Sequence, residues 1–207
     1  APVVQRLGVA TGKPLTDMSN YVASMRANSR FSGELPPIYL AALRDKMLAL
    51  SVDVAEGAIW ANASLSDISR QVDLVPPNRR ANFFMANMSP TVSSDDEDAA
   101  MAIHRKTLTG YMSLPNYRNY WRQAGYAEEM DAAEVILETL PKEEHAQALQ
   151  TAMSDRWLRD CTASGSATSV RDQLSAWTDK GILPIAVMSS TSGGQAKAIA
   201  ELFNAYS

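Results

Sequence analysis

The chain has 207 residues, 46% of them hydrophobic and 20% charged, with a formal net charge of −4. That balance suits a globular protein with enough chain to bury a sizeable core. The mildly acidic charge, whose densest basic cluster is Arg79–Arg80, speaks against nucleic acid as a partner, and no apolar run approaches the roughly 18 residues that a membrane span needs.

In chain order, Ile38–Ala41 is short, apolar and preceded by Pro36 and Pro37, which suits a strand entrance. Leu43, Met47, Leu50 and Val54 recur at spacings of four, three and four, which places them on one face of a helix. Gly57 reads as the left-handed C-cap of that helix. Ala58–Ala61 restarts an apolar run, so strand, helix and strand make a βαβ unit with adjacent parallel strands. Residues 65–75 form a weaker helix, opened by Ser64 or Ser66 and ended by Pro76 and Pro77. Residues 80–88 are a third strand, nearly continuous in apolar content from Phe83 to Ala86.

Residues 94–162 carry helical periodicity without a strand signal, with breaks at Gly110, Pro115, Gly125 and Pro141. Ser166 or Thr168 then caps a helix whose Val170, Leu174 and Trp177 share a face, and Gly181 ends it. Residues 182–188 are the fourth strand, with Pro184 tolerated at its start, and a final helix covers 194–206. The fold class is therefore α/β: four parallel strands with their helices and a helical insertion between the third and fourth. Four strands cannot close a barrel, so this reads as part of a TIM (β/α)8-type barrel.

Two segments carry a family resemblance by their order and spacing. IYLAALRDKMLALSVDVAEGAIWAN, residues 38–62, resembles the fifth strand, helix and sixth strand of the bacterial luciferase-like monooxygenases. GSATSVRDQLSAWTDKGILPIAVM, residues 165–188, is similar to that family's closing helix and eighth strand. The resemblance implies that residues 1–207 are the C-terminal portion of a single barrel domain, with 94–162 as an insertion after strand seven and 11–31 as what remains of the fourth connection. It implies a flavin- or deazaflavin-dependent oxidoreductase or monooxygenase acting on an organic small molecule, with reduced FMN or the deazaflavin coenzyme as cofactor. The partners implied are the missing N-terminal barrel half and further copies of the chain. The family's catalytic histidine belongs to that missing half, so no catalytic residue is assigned here. A non-catalytic flavin-binding relative, or a barrel-half subunit without activity of its own, is the alternative.

In such barrels the active face lies at the C-terminal ends of the strands. Family members bind the cofactor phosphate around the tip occupied here by Ala41, Ala42, Leu43 and Arg44. A helix N-terminus there offers unpaired N–H groups to an anion, and Arg44 can add a charge-assisted contact; as a bland alternative, Arg44 is a solvated first-turn residue. Asn62 and Asn87 stand near the ends of the second and third strands as amide donors to a ring edge or carbonyl, or as ordinary turn residues. Ser189 and Ser190 lead into the last helix and are a further cofactor contact. Trp60 and Met85 read as core.

Other chemistries have little support. His104 and His145 lack a second ligand at metal spacing, so no metal site is expected. SSDDED, residues 93–98, reads as a helix cap. Cys161, the lone cysteine, has no local histidine and reads as structural; it suits a reducing, cytoplasmic setting.

Overall fold

A computed structural model describes residues 12–206. They fall into two compact units. One contains the described residues up to Ile59 together with Leu74–Phe84; the other contains Trp60–Asp73 and the described residues from Met85 onward.

The first unit opens with helix α1, Pro14–Ser32, which has proline in its first turn, and Gly33 follows it at φ 89°. Strand β1, Tyr39–Ala41, leads into helix α2, Asp45–Val54. Val22, Leu40 and Ala55 form a buried cluster flanked by Met18, Met25, Ile38, Met47 and Val54, so Met47 and Val54 of the expected stripe face inward, whereas Leu43 precedes the helix and the buried residues of α2 are Leu48 and Ser51. Glu56 ties the unit together: its carboxylate accepts from the backbone N–H of Ile38 at 2.8 Å and from Arg26 at 2.6 Å. Both partners are charge-assisted, and the Arg26 pair is half-exposed.

Gly57 is not a helix cap. Helix α2 stops two residues earlier, where Ala55 turns extended and its N–H reaches Ser51 O. Gly57 instead begins strand β2, Gly57–Ala61, and pairs with Tyr39. A Cβ at this position would lie 2.4 Å from the carbonyl oxygen of Phe84. The glycine is there for close approach of two backbones. The β1–β2 pairing is parallel, as the βαβ reading requires.

Helix α3 spans Leu65–Val72, and a single turn, α4, spans Pro77–Arg80. The third strand differs from expectation: β3 starts at Phe84 and runs to Ser93, five residues beyond the predicted end. Backbone parity explains why Pro90 does not end it. Phe84 N donates to Glu56 O, Met88 O accepts from Asn62 N, and Ser94 N donates to Gly165 O. Even-numbered residues of β3 thus turn their backbone groups toward one edge, and residue 90 falls between the end of β2 and the start of the next partner. A missing N–H there breaks no ladder bond.

The insertion is built from helices α5 (Glu97–Met112), α6 (Pro115–Gln123), α7 (Ala127–Thr139), α8 (His145–Ala152) and α9 (Asp155–Cys161). Asp96 caps α5 by accepting from Ala99 N, as the acidic run predicts. Trp121 and Trp157 meet edge to face with ring centroids 4.7 Å apart, and both are fully buried. A three-residue strand, β4 (Ala163–Gly165), then pairs in parallel with Thr91–Ser93 of β3. This fifth strand was not foreseen, since three residues ending in glycine carry no apolar alternation.

Ser166 caps helix α10, Ala167–Thr178, by accepting from Ser169 N. Strand β5, Leu183–Ser189, pairs in parallel with β3 over seven residues, and α11 spans Gln195–Ala205. The sheet order is β1-β2-β3-β4, with β5 on β3. In the β3–β5 ladder the odd residues of β5 bond β3, so Pro184 directs its missing N–H to the free edge.

Candidate functional site

At the tip of β1, Ala42 is buried and its N–H donates to Ile59 O at 2.9 Å. Arg44 is the N-cap of α2 with extended backbone and no side-chain cap; its carbonyl accepts from Met47 and Leu48. The Arg44 side chain is exposed and has no ion-pair partner among the described residues, and Ala41 beside it is exposed too. Leu43 is half-buried. The geometry at this tip is that of a helix N-terminus without a side-chain cap, beside an exposed guanidinium.

The second unit holds the other candidates. Asn62 follows β2 in the left-handed region, at φ 57°, and is 4% exposed. Its N–H donates to Met88 O at 3.0 Å and its carbonyl accepts from Trp121 Nε1 at 3.2 Å. The side-chain Nδ2 is buried without a hydrogen-bond partner. Asn87 is not at a strand tip, because β3 continues six residues past it. Its Oδ1 accepts from Ala63 N at 3.2 Å, and its Nδ2 donates to Ser89 Oγ at 2.7 Å. Asn62 and Asn87 therefore share one strand–loop junction, with Asn87 bracing it from inside.

Ser64 is the N-cap of α3 without using its hydroxyl as a cap; its N–H donates to Tyr120 OH at 2.9 Å, and its Oγ lies 3.3 Å from Cys161 Sγ. The first turn of α3 is held from outside: Asp160 accepts from both the backbone N–H and the hydroxyl of Ser66, and from Tyr126 OH. Burial pushes the Cys161 thiol and the Tyr120 phenol well above their ordinary ranges, so neither ionises near neutral pH.

At the C-terminal end of β5, Ser189 and Ser190 line a cavity of about 420 Å³ with Lys106, Thr107, Gly193 and Gln195. Ser190 Oγ donates to Glu201 at 3.3 Å and accepts from Ser192 N. Gly194 is the N-cap of α11 and supplies no side-chain cap; Lys197 N turns back to Gly194 O at 3.1 Å, which leaves the N–H groups of Gln195 and Ala196 as the ones that face the loop without a side-chain cap. Lys106 is exposed and has no ion-pair partner among the described residues. Residue spacing gave no link between the serines and Lys106 or Thr107, since only the packing of α5 near the β5 loop joins positions more than 80 apart in the chain.

Trp60 and Met85 are buried, in keeping with the core reading. Among the described residues there is no group of three or more His, Cys, Asp or Glu side chains suited to a metal. No helix among them is long and apolar enough to cross a membrane.

A sequence model described as luciferase-like monooxygenase matches residues 5–183. Among solved structures, the coenzyme F420-dependent tetrahydromethanopterin reductase of Methanopyrus kandleri aligns with a TM-score of 0.60 at 16% identity, over 82% of this chain and 49% of that one. An F420-dependent secondary alcohol dehydrogenase, solved with an F420–acetone adduct, aligns with a TM-score of 0.56 at 11% identity, over 84% of this chain and 48% of that one. At such identities the likeness is one of fold, and the chain spans about half the length of these structures. No curated protein sequence matches the chain.

Proposed function

The chain belongs to the luciferase-like monooxygenase family, and from that premise we propose that it is the cofactor-anchoring portion of a flavin- or deazaflavin-dependent oxidoreductase acting on an organic small molecule in the cytoplasm. The observation that carries this reading is the β5 cavity. Two serines, the N-terminus of α11, which has no side-chain cap, and the exposed Lys106 converge there, at the strand end where barrels of this class place their sites. Those groups fit the anionic tail of reduced FMN or of the deazaflavin coenzyme.

The bound cofactor supplies the electron pair, passed as a hydride or used to activate oxygen. The residues of this chain bind, orient and exclude water. Lys106, Ser189 and Ser190 hold the anionic end at β5, and Asn62, in the same unit, serves the ring end; Arg44 with the 41–44 backbone is a separate candidate for the anion in the other unit. Asn87 acts through the Asn62–Ala63 junction. No catalytic base is assigned to these residues.

The second reading is a barrel-half subunit without activity of its own, favoured by the match to only 48–49% of the solved structures. In both readings the missing partner is the family's N-terminal half, and the complete protein assembles with further copies.

Titration of the chain with FMN, reduced FMN and coenzyme F420 tests the proposal, comparing wild type with Lys106→Ala and Arg44→Ala. Saturable binding weakened about tenfold by Lys106→Ala places the anion at β5. The same loss from Arg44→Ala moves it to the β1 tip. Absence of binding to all three ligands favours the second reading.

A further inference from the structure

Three successive residues after β2 are clamped from outside the loop. Asn62 N is bound by Met88 O and Asn62 O by the Trp121 indole; Ala63 N is bound by the Asn87 side chain, and Ser64 N by the Tyr120 hydroxyl. Two of those four partners, Tyr120 and Trp121, come from α6 of the insertion, and both are fully buried.

The clamp enforces an uncommon state. Asn62 is the one non-glycine among the described residues with positive φ, and its amide nitrogen is shielded from solvent yet donates to nothing. A left-handed backbone and an unspent buried donor both cost stability, and they persist only where surrounding contacts over-determine them. At Asn62 the two coincide at the C-terminal end of a sheet strand, the end at which barrels of this class place their sites.

We infer that Asn62 is a recognition residue whose side-chain amide turns to donate to a ring carbonyl or ring nitrogen of the bound flavin or deazaflavin, and that Trp121 and Tyr120 are positioning residues that hold it for that contact. The helical insertion is thereby part of the binding machinery. This rests on the cofactor reading given above.

The test uses the 207-residue chain and the same three ligands. Asn62→Asp keeps the shape but removes the donor. Asn62→Gly removes the amide while suiting the positive φ. Trp121→Phe removes the indole N–H from the clamp and also trims a buried ring, a packing loss that is common to both backgrounds of the double-variant comparison. Each Asn62 variant is expected to bind about tenfold more weakly, with the thermal midpoint of Asn62→Gly at or above that of wild type. Trp121→Phe is expected to weaken binding in wild type but not in the Asn62→Gly background, a non-additivity that a purely structural role would not produce. If wild type binds and both Asn62 variants bind equally well, the inference falls and the cofactor reading stands. If the Trp121 effect is the same in both backgrounds, the positioning role falls. If wild type binds none of the three ligands, the cofactor reading falls and takes this inference with it.

Discussion

His104 shows what burial does to one side chain. It sits inside α5 at 1% exposure, and desolvation lowers its pKa to about 4, with the Ala163 backbone opposing only in part. In the unfolded chain the same imidazole takes up a proton near pH 6.5. Between these two values the unfolded state binds more protons, so stability falls as pH drops through the window, by about 3 kcal/mol in all. His104→Leu should flatten that dependence: urea midpoints at pH 7 and 4.5 should diverge less in the variant. An unchanged difference would mean the imidazole protonates in the folded protein. From the sequence His104 was legible only as a histidine without a metal partner. Its burial depends on helices that meet it from elsewhere in the chain.

At the scale of elements, glycines and prolines carried clear local signals whose meaning depended on neighbours. Gly57 and Gly110 make an opposed pair. A Cβ at Gly57 meets Phe84 O at 2.4 Å, while a Cβ at Gly110 meets nothing within 4 Å. Gly57→Ala should therefore lower the stability of its unit by about 1–3 kcal/mol. Gly110→Ala, inside α5, should raise stability by about 0.5–1 kcal/mol. Denaturant midpoints of the two variants should shift in opposite directions; a neutral Gly57→Ala would show that β3 can give way. Similarly, Pro90 looks like a strand terminator until the pairing of β3 shows which edge it faces. Helices with capping signals were read well: Ser166 caps α10 and the acidic run caps α5, because the capping groups lie within a few residues of the helix they serve.

For the chain as a whole, the β3–β5 ladder leaves one apolar face uncovered, with Leu183 52%, Met88 41% and Val187 39% exposed. On this chain alone, Leu183→Thr should change stability by no more than about 0.5 kcal/mol while lowering the fluorescence of a bound hydrophobic dye. A loss above about 2 kcal/mol would show that the face is buried in the species measured, as self-association would make it. The sequence by itself determined the α/β class, the βαβ order, the capped helices, the insertion and the family, because hydrophobic period, caps and turn residues act over a few positions. Tertiary structure alone decided that β4 exists, that β3 runs through Pro90, that Asn87 braces a loop instead of lining a tip, and that Lys106 stands beside Ser189 and Ser190. Each of these depends on hydrogen bonds or contacts between residues far apart in the chain, and no local pattern encodes which distant groups will meet.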